Sequence, residues 1–328
     1  MLAAVYRRTG PAREVLTIED IATPEPGPGE VRVKLQFSGV NPSDVKTRAG
    51  LRTKTLAFER IIPHSDGAGV IDAVGAGVDA SRIGEPVWTW NAAWGRPDGT
   101  AAQFICLPSE QAVRLPDGVK GDVGACMGIP ALTALHAVGM DGGVAGKRVL
   151  VAGGAGAVGN YAVQMARLAG AAQVIATVSN DEKAALALAA GADAAVNYKT
   201  GDAAAQVRQL TGGKNIDRII EVDIGANMAL DTELIAPEGD IIGYGSGKPE
   251  IAVPFFPMIV KNVRLRFFIA YNLTAADRRR AVDGLTRLLE QGKLKHNIAA
   301  SLPLERIAEA HELVESGKVT GNVVLAID

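Results

Sequence analysis

The chain has 328 residues, with 34 Lys and Arg against 36 Asp and Glu and a formal net charge of -2. That balance leaves no basic footprint for nucleic acid, and no apolar run approaches the roughly 18 residues that a membrane span requires. Two cysteines, Cys106 and Cys126, are spaced for neither a disulfide framework nor a metal knuckle, so a reduced, cytoplasmic setting is expected, with both thiols as buried small hydrophobes.

The N-terminus, MLAAVYRRTG, reads as a strand with alternating burial and not as a signal peptide. Residues 1 to about 118 are rich in short strand patterns: AVYRR, LTIEDI, VRVKLQFSGV, GAGVIDAVG, PVWTW, AAQFICLP and AVRLP, separated by turns such as PEPGPGE and RPDG. A barrel-like or folded-sheet domain is expected there. Within it, a short helix is predicted to start near Pro42, behind the polar Asn41 and with acid in its first turn.

From about Asp122 the pattern becomes an alternation of helices and short apolar strands. A helix through IPALTALHAV is followed by a strand at 148–152, a helix at 157–168, a strand at 173–178, a helix at 181–190 and a strand at AAVNY. The alternation continues through a helix near 203–210, strand 216–222, a helix from about 225 to 234 and strand 240–245. It predicts a parallel doubly wound sheet covered by helices on both faces. Two amphipathic helices, 275–291 and 304–314, then precede a last strand, NVVLAI, with Gly317 as C-cap of the second helix.

The stretch Arg148 to Gly159, RVLVAGGAGAVG, joins an apolar strand to a helix through Gly154, Gly156 and Gly159, the spacing GxGxxG. The first glycine permits a tight turn, the second lets a pyrophosphate approach the backbone, and the third lets the helix pack on its strand. Phosphates would sit at the helix N-terminus, among N–H groups with no intrahelical partner. Gly154, Ala155, Gly156, Ala157, Val158 and Gly159 are therefore candidate dinucleotide-binding residues.

Cofactor choice turns on the end of strand 173–178, where an acid would bind a ribose 2′-hydroxyl and repel a 2′-phosphate. Ser179 and Asn180 stand there, with Lys183 close behind, and this favours NADPH. Asp181 and Glu182 argue the other way, or serve as first-turn acids of the next helix with Ser179 or Asn180 as its cap. Zinc needs three or four Cys, His or carboxylate ligands, and two isolated cysteines with four scattered histidines offer no plausible set.

Several stretches together resemble the zinc-independent quinone oxidoreductase, or zeta-crystallin, branch of the medium-chain dehydrogenase/reductase superfamily. They are GVNPSDVKTRAG (39–50), IIPHSDGAGVIDAVGAGV (61–78), GIPALTALHAV (128–138), VLVAGGAGAVG (149–159), GADAAVNY (191–198) and GKVTGNVVL (317–325). The resemblance implies an α/β fold with a Rossmann domain at 124–264 inserted in a discontinuous, mostly β, GroES-like catalytic domain at 1–123 and 265–328, with the active site in the cleft between them. Zinc-dependent members carry a Cys where this chain has Asn41 and a His where it has Ser65.

By the same resemblance, Asn41 faces the nicotinamide end or the acceptor oxygen, or merely caps the short helix. Thr133 contacts the nicotinamide ribose or carboxamide, or bonds back to its own helical turn. Lys183 and Tyr198 hold the adenosine phosphate, and Gly243, Tyr244 and Gly245 end a strand facing the cleft. Phe268 and Ile269 offer backbone groups to the carboxamide, and Asn322 matches a polar position that contacts the cofactor. Trp90 and Asn91, in a cluster with Trp88 and Trp94, supply flat walls for a flat acceptor, a pattern that core packing also explains.

The expected activity is zinc-free transfer of hydride from NADPH to a quinone or an α,β-unsaturated carbonyl, in a homodimer or homotetramer. Relatives often line the acceptor site with a tyrosine shortly after the NP motif. Here that segment carries Arg48 and Arg52, which keeps open an anionic acceptor, a 2-enoyl-thioester reductase, or a non-catalytic NADPH-binding protein.

Overall fold

Along Glu30–Val40 the side chains of Val31, Val33 and Leu35 are buried and their neighbours are not, which marks the strand on which the first part of the molecule is built. The computed structural model describes residues 1–52 and 54–328. In chain order it begins with β1 (Leu2–Val5), a helical turn α1 (Ala12–Val15), β2 (Thr17–Asp20), β3 (Glu30–Val40) and α2 (Pro42–Arg48). Then come β4 (Asp66–Val74), β5 (Pro86–Thr89), β6 (Phe104–Pro108), β7 (Ala112–Arg114) and a second short turn, α3 (Gly121–Gly124).

Helix α2 starts where the sequence predicts. Asn41 is its N-cap, Pro42 supplies a preset φ at the first helical position, and Asp44 closes a capping box with Asn41.

The chain then passes through a π-helical turn, Met127–Ala131, into α4 (Leu132–Gly139). Strand–helix alternation follows: β8 (Arg148–Val151), α5 (Ala157–Leu168), β9 (Gln173–Val178), α6 (Asp181–Ala189), β10 (Ala194–Asn197), α7 (Ala203–Leu210), β11 (Ile216–Glu221), α8 (Ile224–Leu234) and β12 (Ile235–Gly243). After α9 (Phe255–Val260) and β13 (Arg264–Phe267) come α10 (Ala275–Glu290), β14 (Ile298–Pro303), α11 (Ile307–Ser316) and β15 (Asn322–Ala326). Helix α11 ends on Gly317 at φ 61, the left-handed cap expected of a glycine there.

Two compact units result. One comprises Met1–Pro130 and Val282–Asp328, and the other Ala131–Ala281. In the first, β3 pairs antiparallel with β4, β6 and β15, the sheet continues through β5 to β7, and β14 joins β15 in parallel. Val31, Val33, Leu35, Ile71, Ile105, Leu107 and Leu325 belong to its core.

In the second unit the sheet runs in the order β10-β9-β8-β11-β12-β13, with every pair parallel. The order reverses between β8 and β11, which is the topological switch point where doubly wound sheets bind ligands beyond their carboxyl ends. The sequence reading closes this domain at 264, whereas the sheet extends through Phe267, because β13 pairs with Asp240–Gly243 of β12.

Candidate active site and cofactor site

The second unit carries the glycine turn at the end of β8. A Cβ on Gly159 would stand 2.2 Å from the carbonyl oxygen of Gly153, and one on Gly154 would stand 2.5 Å from Cβ of Ala176. Both positions exclude any side chain, so α5 packs directly against its strand. Gly156 is different: it caps α5 with no side-chain hydrogen bond, and its Cβ would meet only the Gly153 oxygen, at 3.3 Å. The turn is tied to β9, since Gly154 N–H donates to Thr177 O (3.1 Å) and Gly153 N–H to Thr177 Oγ1 (3.3 Å). Ala157 and Val158 then open the helix with first-turn N–H groups that have no intrahelical acceptor.

The next strand ends bring four other candidates together. β9 and β10 pair through Val178 and Asn197, and Tyr198 N–H donates to Val178 O (3.0 Å). Tyr198 is therefore held beside Ser179 and Asn180. Asn180 caps α6 by accepting the Lys183 backbone N–H at 2.8 Å. The acids Asp181 and Glu182 occupy the first turn of α6, where they complement its dipole.

At the ends of β11, β12 and β13, Gly245 admits no side chain, because a Cβ there would lie 2.3 Å from Val222 O. Gly243 O accepts from Phe268 N–H (3.2 Å), and the Phe268 ring packs edge-on to His136 at 4.8 Å and tilted to Tyr244 at 6.4 Å. Ile269 precedes a 3-10 turn, accepting from Asn272 N–H at 3.0 Å. Thr133 is buried on α4.

Sequence reasoning passed over two acids in this unit. Glu221, buried at the end of β11, accepts from Asp223 N–H (2.6 Å) and Asn227 Nδ2 (3.0 Å), and so shapes the β11–α8 turn. Burial, and then the neighbouring Glu221, push the Asp231 carboxyl up, and burial raises Glu221 and the Tyr244 phenol as well. Nothing in the local pattern of α8 announced this pair.

In the first unit Asn41 is 4% exposed, and its Nδ2 donates to Asp66 Oδ2 at 2.8 Å. The same carboxylate oxygen accepts the backbone N–H of Ile129 (3.0 Å), and Asp44 accepts the Asn41 N–H (2.8 Å). The amide nitrogen of Asn41 thus faces Asp66. Burial pushes Asp44 up to about 7. Asp66 is the residue that sequence reasoning missed here.

The tryptophan cluster divides. Trp88 lies at 0% exposure inside the sheet and serves as core, Trp90 is half-buried, and Trp94 is exposed. Asn91 is buried in the left-handed region at φ 53, a conformation asparagine tolerates, and its carbonyl accepts from Trp94 N–H (3.1 Å). Asn322 is committed to the backbone: both its N–H (2.9 Å) and its Nδ2 (3.2 Å) donate to Asn297 O.

Arg48 departs from expectation. It is 1% exposed, donating to Gly10 O (2.6 Å), Glu315 Oε1 (2.6 Å) and His311 Nδ1 (3.5 Å). A guanidinium so occupied is not offered to an anionic acceptor. Arg52 is exposed.

Among the described residues no three His, Cys, Asp or Glu side chains are grouped as metal ligands, and no helix is long and apolar enough to cross a membrane. Two family models match the chain: an alcohol dehydrogenase GroES-like domain over residues 27–117 and a zinc-binding dehydrogenase over residues 157–288. The quinone oxidoreductase of Homo sapiens is 31% identical over 329 residues, covering 98% of this chain and 96% of that protein. A crystal structure described as an NAD-dependent alcohol dehydrogenase is similar with a TM-score of 0.92 at 32% identity, over 100% of both chains. A mycobacterial protein solved in complex with NADPH gives 0.88 at 29% identity, over 99% of this chain and 100% of that one. Full-length likeness to quinone oxidoreductases, joined to a parallel sheet with a glycine turn at its switch point, makes this chain an oxidoreductase of the medium-chain dehydrogenase/reductase superfamily.

Proposed function

We propose that the protein is an NADPH-dependent oxidoreductase that reduces quinones or conjugated enones without zinc. The observation that carries this reading is the pairing of a close-packed glycine turn, Gly154 to Gly159, with a β9 tip at Ser179 and Asn180 that carries no acid, Lys183 following in α6 and Tyr198 bonded to Val178 after β10. The names of the two similar structures point to different cofactors, NAD and NADPH. A 2′-phosphate suits this corner: hydroxyl and amide groups and one cation can bind it, where an acid would repel it.

The zinc that one family description implies does not fit these donors. Asn41 is spent on Asp66, and Cys126 lies buried with its thiol donating to Asp122 O. His64 and His311 face each other through Nε2 atoms 2.9 Å apart. Two imidazoles on one tetrahedral zinc would stand about 3.3 Å apart, and a third ligand would still be wanting. Both thiols are pushed up by burial, as suits inert side chains in a reduced cytoplasm.

NADPH supplies a hydride at nicotinamide C4. The protein's part is to hold the diphosphate on the first turn of α5, the adenosine corner on Lys183 and Tyr198, and the carboxamide on backbone groups near Gly243, Phe268 and Ile269, with Thr133 on the ribose. The Asn41 amide, held by Asp66, is assigned the donation to the oxygen on which negative charge develops. Trp90 and Asn91 form an acceptor wall. An electron-poor quinone or enone needs little more activation than this.

We further propose a homodimer joined along β13. This strand is the edge of its sheet, and Phe255, Phe256, Ile259, Val260 and Phe267 are exposed on and beside it. The test of the acceptor class is a panel of a benzoquinone, a short alkenal and an enoyl-CoA at saturating NADPH. Preference for the quinone or alkenal agrees with the proposal, and a dominant enoyl-CoA rate moves the assignment to thioester reduction.

A further inference from the structure

We infer that His64 and His311 are positioning residues: a one-way hydrogen-bonded chain through this buried pair fixes Asp66, and through it the amide of Asn41. The role of Asn41 in this statement rests on the function proposed above, whereas the chain itself rests on geometry alone.

The links all lie in the first unit. Arg48 Nε lies 3.5 Å from His311 Nδ1, His311 Nε2 lies 2.9 Å from His64 Nε2, and His64 Nδ1 lies 2.8 Å from Ser38 Oγ. Ser38 Oγ lies 2.8 Å from Thr100 Oγ1, which lies 2.5 Å from the carbonyl oxygen of Asp66. All these side chains are at most 1% exposed.

Donor and acceptor roles follow from the ends. A carbonyl only accepts, so Thr100 donates to Asp66 and Ser38 donates to Thr100. With its one hydrogen spent, Ser38 accepts from His64 Nδ1–H. His64 Nε2 then carries a lone pair and accepts from His311 Nε2–H, leaving His311 Nδ1 to accept. The opposite end agrees independently, because Arg48 has donors only. Both rings are therefore neutral, with His64 in its Nδ1–H form and His311 in its Nε2–H form. Burial holds both imidazoles well below their usual range, in keeping with that.

Such a chain does not deliver a proton, since it ends on a carbonyl that has none to pass on. What it does is hold a bend. His64 sits at φ 78, a left-handed conformation that is costly for a histidine and persists only where its surroundings over-determine it. The surroundings here do so: Thr100 N–H donates to His64 O (3.0 Å) and Ala101 N–H to Pro63 O (3.1 Å). Gly99 lies so close beneath that a Cβ would be 2.3 Å from Pro63 O and 2.4 Å from His64 O. Two residues after the bend, Asp66 enters β4 opposite Gly39 and meets Asn41 and Ile129. A Cβ on Gly128 would stand 2.3 Å from Asp66 Oδ1, so the carboxylate has little room to move.

The experiment compares the wild type with His311→Leu and His311→Gln. Glutamine can accept from Arg48 through Oε1 and donate to His64 through Nε2, so it rebuilds the chain, whereas leucine breaks it. The expected result is a kcat at least tenfold lower for His311→Leu with the NADPH dissociation constant unchanged, and recovery to within about threefold in His311→Gln. The side-chain amide resonances of Asn41 should shift in the leucine variant alone. Unchanged kcat and unchanged Asn41 resonances in a folded His311→Leu protein would overturn the inference. Should that variant not fold, nitrogen NMR of the wild-type imidazoles decides: Nδ1–H at His64 with Nε2–H at His311 supports the chain, and the reverse tautomers refute it. If the wild type turns over no acceptor, the function proposal fails while the Asn41 resonances and the tautomers still test the positioning.

Discussion

Asn41 and Asp66 meet through a single hydrogen bond, Nδ2 to Oδ2 at 2.8 Å, and this contact decides which way the Asn41 amide points. If the Asn41 amide serves the acceptor oxygen, Asn41→Ala removes one donor to the developing negative charge. The expected loss is roughly 10²-fold in kcat, the range for removal of one such donor, with NADPH affinity changed less than about threefold. Rapid-mixing kinetics with separately measured cofactor binding checks this. A loss confined to cofactor affinity would place Asn41 on the nicotinamide instead.

Lys183 follows the β9 tip in the first turn of α6, its backbone N–H held by Asn180 Oδ1. A cation on the 2′-phosphate distinguishes the two nicotinamide cofactors, so Lys183→Ala is expected to weaken NADPH by at least tenfold, about 1.4 kcal/mol, and NADH less than twofold. Fluorescence titration with both cofactors is the measurement. Equal losses would remove Lys183 from the 2′-phosphate site.

The glycine turn separates folding from binding. Gly159→Ala puts a methyl group against a backbone oxygen 2.2 Å away and is expected to lower Tm by several degrees. Gly156→Ala meets only an oxygen at 3.3 Å, so its Tm should stay close to wild type while NADPH affinity falls at least tenfold, because the methyl occupies the approach to the diphosphate. Thermal scans with and without NADPH report both. Full cofactor-induced stabilisation in Gly156→Ala would mean that the diphosphate lies elsewhere.

The histidine pair gives the protein an acid sensitivity of definite sign. Burial pushes His64 down to about 3, whereas in the unfolded chain it titrates near 6.5. Between those values the unfolded state binds a proton that the folded state refuses, so stability falls as pH is lowered through the window, by roughly 1.4 kcal/mol per pH unit for each such imidazole. Asp44, pushed up to about 7, works in the opposite direction, so the comparison between proteins is the readout. Denaturant unfolding at pH 7 and pH 5 should show a larger loss in the wild type than in the double variant His64→Asn, His311→Gln. Equal losses would assign the acid sensitivity to other groups.

The parts legible in the sequence were those with a local signature. GxGxxG between an apolar strand and an amphipathic helix led directly to β8, the turn and α5, and Asn41-Pro42 marked the start of α2, because caps and tight turns are made by neighbours in the chain. What was not legible depends on partners far apart. His64 and His311 are separated by 247 positions and Arg48 and Glu315 by 267, so no window of sequence shows that they meet. For that reason Arg48 leaves an anionic acceptor open in the sequence, and Trp88 is told from a pocket wall only by the burial of its strand on both faces.

The most direct test of the central claim is the initial rate of NADPH and NADH oxidation by chelator-treated, metal-free protein with a benzoquinone as acceptor. Undiminished turnover after chelation, faster with NADPH than with NADH at equal concentration, is the predicted result. Loss of turnover on chelation with recovery on adding zinc, or a preference for NADH, would contradict the account.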